Sequence, residues 1–532
     1  MIHTQDNDKK INQALFWLLA ISAIIRGFAA ASIEFGNDEV YYWTYALYPD
    51  WSHFDHPPMV GWMIQLFSLN LLFDNEFFIR LSSILFMTAD TYIIFRIGKE
   101  IRDAQTGLYA ALLYTASIYA FVITGVFILP DTPLNLFWLL SFWMAVKYFK
   151  NDECQSKYLL LLGLSAGLAI LSKYTGAYIW VGVGLYILIF DRKQFKNPYL
   201  YLSVLITAVC CIPILYWNVE NNFISFTFHG ERVSLFGKPR FDYFGTELAG
   251  ELFYNNPVNF VLIIIAVVAA FKGKIGMAKP MLRLTLCTAL PLIATFLFFS
   301  LTRQTLPHWN APAYSLLILL VACMLCDKNP RQNGKIAIPK AITSALCVVI
   351  FTVGFGIIEI NTGFIPLDHH TEPEKLGRDD FTLDMYGWRQ LETKFATLRE
   401  QKITEGLMHE EDGIVADEWF PLANLDYYVA RPLSIKVMGL GYPSMIHKYL
   451  WINEERSGFK QGDSYWFLSD SHYMKDPYAM YQWAFTEITP IDTIQIERCG
   501  KPAKNFFVYS CKKMHSLPPS LPEIMAESAS KE

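Results

Sequence analysis

The sequence predicts an α-helical, polytopic membrane protein of about eleven transmembrane helices that ends in an extracytoplasmic α/β domain. Three observations predict it. Of 532 residues, 53% are apolar or aromatic and only 17% are charged, against about 25% charged in a soluble globular domain. The charge is also unevenly spread: residues 1–360 hold 26 Lys+Arg and 23 Asp+Glu, whereas residues 361–532 hold 18 and 26. Finally, the basic residues of the first part gather on alternate sides of successive apolar segments. The net charge of −5 comes with no basic stripe or tail, which argues against a nucleic-acid partner.

A crossing needs about 20 mainly apolar residues. Eleven segments qualify in order: 12–33, 79–98, 107–128, 133–149, 158–172, 175–190, 199–217, 257–271, 281–301, 311–326 and 341–359. The two around Lys173 are short, so one of them is re-entrant or tilted. Lys and Arg stay on the cytoplasmic side. With the N-terminus inside, the inner segments carry such clusters as Lys9–Lys10, Arg96/Lys99/Arg102, Arg192/Lys193/Lys196 and Lys272/Lys274/Lys279/Arg283, while the outer loops are poor in bases. An odd number of spans then puts the C-terminal domain outside a plasma (inner) membrane, in the periplasm. The first span also imitates a signal peptide; that alternative leaves residue 34 outside as well.

Residues 361–515 alternate helix-like and strand-like stretches. The patterns predict helices at 386–398 and 419–429, and strands at 413–416, 433–438, 464–469 and 506–509. The tail 516–532, with Pro518, Pro519 and Pro522, reads as disordered. Cys499 and Cys511 flank the last strand in a compartment that permits a disulfide, and the sequence leaves their pairing open.

Outer loop one, residues 34–78, holds seven acids (Glu34, Asp38, Glu39, Asp50, Asp55, Asp74 and Glu76), two histidines and no Lys or Arg. Emptying outer loops of bases accounts for much of this. The adjacency of Asp38 and Glu39 ahead of an aromatic run stands out, because neighbouring helical side chains diverge by about 100°. One can serve as a base and the other in orientation or metal binding. His53, Asp55 and His56 offer metal-ligand types, but Pro57-Pro58 makes a structural knot the simpler reading. Asp131, in Leu129-Pro-Asp-Thr-Pro133, reads either as ordinary helix capping or as a second acid on the same face. Lys173 and Arg26 interrupt apolar runs, which is costly without a partner, a cavity or snorkelling. A lipid phosphate would neutralise either one. Arg303 and His308 form another polar cluster at an outer span end.

Together these residues carry a resemblance. Asp38-Glu39 with its aromatic run, Phe54-Asp-His-Pro-Pro-Met59, Leu129-Pro-Asp131, Ser172-Lys-Tyr-Thr-Gly176 and Pro307-His-Trp309 resemble the bacterial branch of the GT-C polyprenyl-phosphate-sugar glycosyltransferases. That branch includes protein O-mannosyltransferase-like and lipid A aminoarabinose transferase-like enzymes. The resemblance covers roughly residues 10–320, so it implies that residues 1–360 form a GT-C transmembrane catalytic domain. It further implies transfer of a sugar from a polyprenyl-phosphate donor to an extracytoplasmic glycolipid, glycan or protein hydroxyl with inversion. Asp38 would be the base, Glu39 and Asp131 further catalytic carboxylates, and Lys173, Arg303, His308 and Arg26 ligands of the donor phosphate. No cofactor is required; a divalent metal at His53, Asp55 and His56 stays open. Two other classes compete, a polyprenyl-lipid flippase and a non-catalytic glycan-binding receptor. A flippase would bury paired charges near the membrane midplane.

Overall fold

The computed structural model describes residues 2–150, 155–232, 238–330 and 337–529. These form two compact units, both discontinuous in sequence. The first comprises Met1–Ala30, His56–Trp217 and His229–Val353; the second comprises Ala31–Asp55, Asn218–Phe228 and Gly354–Glu532. The boundary expected at 360 therefore falls at Gly354, and two short loop segments leave the membrane part for the second unit. Their polar groups find partners there. Asn37 accepts from Asn424 at 2.6 Å, Asn221 accepts from Trp451 at 2.9 Å, and the carbonyl of His53 accepts from Ser225 at 3.0 Å.

Among the described residues the first unit is helical, because long, mainly apolar runs can satisfy their backbone only by intrahelical hydrogen bonds when lipid surrounds them. Among the described residues, five helices are long and apolar enough to cross a membrane singly: Lys9–Ser32, Glu76–Ile101, Lys279–Ser300, Ala311–Lys328 and Lys340–Thr362. Two bent pairs raise the number to seven. These are Pro198–Cys210 with Ile212–Glu220, bent by 41°, and Phe241–Tyr254 with Pro257–Phe271, bent by 103°. Burial separates their roles. The most apolar 18 residues of Ala311–Lys328 are 89% buried, so this helix is the core around which others pack, whereas those of Lys340–Thr362 are 17% buried. Phe16, Trp17, Ile24 and Phe28 of the first helix are likewise exposed. So large an uncovered apolar surface is stable only against lipid, and the chain is a multi-pass membrane protein.

Close helix contacts use small residues. Gly163, in the helix Ser156–Ser172, lies so near Ser203 that an added Cβ would stand 2.2 Å from the Ser203 carbonyl oxygen. Ser203 and Thr207 fasten the same contact by donating to the carbonyls of Leu159 and Gly163 at 2.6 and 2.7 Å. The apolar segment 107–128, expected as one span, is instead broken. Its helix Ala104–Thr115 stops, and a wide turn follows at Tyr119–Ile123. The freed carbonyls explain why the break is tolerated: Asn259 donates to Leu113 at 2.8 Å, and Asn256 donates both to Ala116 at 2.9 Å and to Ala345 at 2.8 Å.

The second unit contains a five-stranded sheet, β1 (Gly413–Ala416), β2 (Val437–Gly439), β3 (Tyr465–Asp470), β4 (Phe485–Arg498) and β5 (Lys501–Met514), in the order β2-β1-β3-β5-β4. β1 runs parallel to β2 and β3, while β5 runs antiparallel to β3 and β4. The helix Trp388–Thr404 buries Trp388, Leu391, Phe395 and Leu398 at helical spacing, with Phe395 edge-on to Trp466 of β3. Pro490 conceals β4 in the sequence; it is accommodated on the sheet's edge beside a bulge between Pro490 and Asp492.

Two expectations for this unit are corrected, and the cysteine pairing that the sequence left open is decided. The strand at 433–438 begins only at Val437, because Arg431–Leu433 is helical and Ser434 turns the chain with φ +54°. Cys499 sits in the β4–β5 turn and Cys511 lies far along β5, so at about 3.3 Å per residue the two are tens of ångströms apart and both are free thiols. The tail is not wholly irregular: Leu521–Ala529 is helical. Ser520 precedes it, and the Glu523 carboxylate accepts from the Ser520 amide at 2.8 Å, one half of the reciprocal capping arrangement that starts helices.

Candidate active site

In the first unit, the helix Asp131–Lys150 starts at a Pro-Asp-Thr-Pro sequence that places Asp131 on its first turn. Lys173 comes from the break between the helices Ser156–Ser172 and Tyr178–Phe190, where its own backbone is extended at φ −159°. That break brings its Nζ to 2.8 Å from Asp131 Oδ2, with both side chains buried. His308 Nε2 stands 4.0 Å from the same oxygen, and His56 also acts electrostatically on Asp131. Lys173, His308 and His56, from three separate segments, thus converge on the Asp131 carboxylate. Burial pushes the His308 imidazole down to about 4, against the pull of Asp131 and with the help of Lys173. At neutral pH His308 is therefore uncharged, and Asp131 and Lys173 balance each other.

The loop bearing His308 is itself anchored by residues that sequence reading missed. Glu247 and Glu251, one turn apart on Phe241–Tyr254, are fully buried. Glu247 accepts from Thr305 at 2.8 Å, Glu251 accepts from Tyr314 at 2.8 Å, and Asn310 donates to both carboxylates. Between the two acids, Gly250 admits Pro307, whose Cγ would lie 2.1 Å from an added Cβ. The signal was present as two acids at i and i+4 in a mainly apolar helix. Arg303 lies at the end of Lys279–Ser300, with its guanidinium 5.6 Å over the Phe299 ring. Arg26 is enclosed by protein: it has no exposed surface, donates to Thr88 Oγ1 at 2.9 Å, and sits 5.3 Å over Phe121.

In the second unit, the helix Asn37–Leu47 carries the acidic pair. The two acids diverge as adjacency requires. Glu39 is buried, and its Oε2 accepts from the Gly36 amide at 3.0 Å, closing the helix N-terminus. Asp38 is exposed. Asp55 Oδ1 accepts from Tyr41 at 2.8 Å and Tyr45 at 2.5 Å, and His53 Nδ1 meets Lys448 Nζ at 2.8 Å. Burial pushes the Lys448 ammonium down to about 7. One ring nitrogen of His53 thus meets an amine, and the Asp55 carboxylate meets two phenols. Among the described residues, the three side chains that do bring metal-ligand atoms within 4.8 Å of one another are Asp368, His370 and Asp379, and no step is derived through a metal there.

Residues 55–217 match the family of dolichyl-phosphate-mannose-protein mannosyltransferases. The lipid A galacturonosyltransferase RgtD of Rhizobium johnstonii is 21% identical over 56% of this chain and 62% of its own length. The undecaprenyl phosphate-alpha-4-amino-4-deoxy-L-arabinose arabinosyl transferase 2 of Proteus mirabilis is 23% identical over 55% of this chain and 55% of its own. The chain therefore spans little more than half the length of the curated relatives it matches. The crystal structure of ArnT from Cupriavidus metallidurans in the apo state superposes with a TM-score of 0.62 at 13% identity, covering 94% of this chain and 98% of that one. The same enzyme bound to undecaprenyl phosphate matches equally, with a TM-score of 0.62 at 13% identity over 93% and 98%. Residues 55–217 are thus similar to that mannosyltransferase family, and the chain as a whole shares the fold of ArnT.

Proposed function

We propose that this chain is a membrane glycosyltransferase that moves a sugar from a polyprenyl-phosphate donor to a glycolipid, glycan or protein hydroxyl on the outer face of the plasma (inner) membrane. The observation that carries this reading is the buried Asp131–Lys173 pair with the neutral His308 beside it. Such a pair is expensive unless it is used. Polyprenyl phosphate is a good leaving group, so transfer needs a base, a cationic clamp and exclusion of water. When a phosphate approaches Lys173, the added negative charge raises the proton affinity of His308, which takes up a proton and completes the clamp. A carboxylate removes the acceptor's hydroxyl proton, the acceptor oxygen bonds to the anomeric carbon, and the bond from that carbon to the phosphate oxygen breaks. The phosphate leaves with the electron pair, and the configuration inverts. Asp38, exposed on the first turn of its helix, is the base in this reading, while Glu39 holds that turn.

The finer topology belongs to the same proposal: eleven spans, a cytoplasmic N-terminus, a periplasmic C-terminal domain, and no required cofactor. The undecaprenyl phosphate of the ArnT complex and the lipid A specificity in the RgtD name support this choice of donor and acceptor class. The test is transfer by purified protein in lipid, supplied with polyprenyl-phosphate sugars and a glycolipid and protein extract, with and without a chelator. Wild type should transfer, Asp38→Asn and Asp131→Asn should transfer far more slowly, and the product's mass identifies the acceptor. Donor movement across the bilayer without transfer would replace this reading with a flippase.

A further inference from the structure

Below Asp131, the interior of the first unit holds polar groups that the transfer chemistry does not use. Asn135, one turn along the same helix, donates to Asp90 Oδ2 at 2.9 Å and touches the Tyr114 hydroxyl, which itself donates to Asp90 at 3.3 Å. Asp90 lies within the helix Leu81–Ile101, and Arg26 of the first helix acts on it electrostatically. The Tyr119 hydroxyl lies within electrostatic reach of Asp131, Tyr114 and Asp90. All six side chains are essentially without exposed surface.

What is unusual is how many of their atoms lack a direct partner. Among the described residues, Arg26 Nε and Nη1, Asp90 Oδ1 and Asn135 Oδ1 are buried and make no hydrogen bond, while the Tyr119 hydroxyl faces Asp131. Each such orphan is costly, and four together are comparable with the whole net stability of a domain. Donors and acceptors are both represented, and they belong to one chain of neighbours running from Arg26 to Asp131. Buried water making about three hydrogen bonds apiece is how proteins satisfy such a set.

We propose that Arg26 and Asp90 form a water-bridged ion pair that, through Asn135 and Tyr119, positions the Asp131 carboxylate and hence Lys173. This rests on the reading that Asp131 works beside the donor phosphate. Arg26 and Asp90 are positioning residues, since neither reaches the outer cluster directly. The groups facing Asp131 are Lys173, His308, His56 and Tyr119; those facing Asp90 are Arg26, Tyr114 and Asn135.

Two measurements test the proposal. An experimental structure of the full chain in lipid, at a resolution that shows water, should show ordered water within hydrogen-bond distance of Arg26 Nε or Nη1 and Asp90 Oδ1. A dry contact there overturns the proposal whatever the enzyme does. Kinetically, Asp90→Asn and Arg26→Met should lower kcat on the order of 10- to 100-fold through misplacement of Asp131 while leaving the donor KM nearly unchanged, and Arg26→Lys should recover part of the loss. Should either single variant fail to fold, Arg26→Met with Asp90→Leu removes both charges together, a change that folded proteins tolerate, and it should show the same loss of kcat. Folded variants with wild-type kcat overturn the positioning role. A wild type that transfers no sugar from any donor defeats the functional reading instead, and the water positions still decide the ion pair.

Discussion

The charged residues around Asp131 and the acidic pair at Asp38 solve opposite problems. Around Asp131, burial is nearly complete, and the carboxylate is held by an ammonium at 2.8 Å with a neutral imidazole beyond it. At Asp38–Glu39, Glu39 accepts from a backbone amide and Asp38 is exposed. The difference teaches that a charge in a low-dielectric interior is fixed by a partner distant in sequence, whereas a charge at a helix start is fixed by its own backbone. The first is a tertiary fact and the second a local one.

The largest expected effect breaks the tertiary half. Lys173→Met leaves Asp131 buried without its cation and should cost about 3–5 kcal/mol of stability, together with all measurable transfer. Thermal unfolding in nanodiscs checks it, and adding Asp131→Asn should restore stability without restoring transfer. The next breaks the local half. Asp38→Asn should slow transfer by about 10²- to 10⁴-fold while leaving the melting temperature unchanged, because the residue is exposed; equal activity would move the base elsewhere. A third sharpens the role of burial. The His308 imidazole is depressed in the folded state, so its contribution to stability is complete above its unfolded value near 6.5 and is lost as pH falls toward about 4. Stability should decline over that window by up to about 3 kcal/mol, and His308→Gln should flatten the decline. The smallest effect is Glu39→Gln, which weakens one half of a helix cap and should cost about 1 kcal/mol or less.

Much of this was legible in the sequence. Lys173, Asp131 and His308 stood out because charge in or beside an apolar run is rare, and the strand at 413–416 appeared with the predicted bounds. What was hidden was pairing. Nothing local reveals that Lys173 meets a residue 42 positions earlier, or that Glu247 and Glu251 hold the loop of His308. Hydropathy averaged over a span also passes over breaks such as that after Thr115, because the asparagines that satisfy its carbonyls come from a helix more than 130 residues later. β4 was missed because a proline inside an alternating pattern argues against a strand until a sheet edge and a bulge are known. Arg26 drew attention for the right reason, its cost in an apolar run, but its enclosure beside Asp90 depends on three other helices.

The asparagine between the two arms of the bent helix pair also orders the protein's assembly in time. Asn256 takes the Ala116 carbonyl with one hydrogen and the Ala345 carbonyl with the other. As the chain is made, the early break can be sealed only after residue 256 has entered the membrane, and the seal is finished only when the helix Lys340–Thr362 arrives. A chain stopped before residue 345 should therefore keep an unfinished polar seam inside the bilayer, a ready mark for the proteases that clear incomplete membrane proteins.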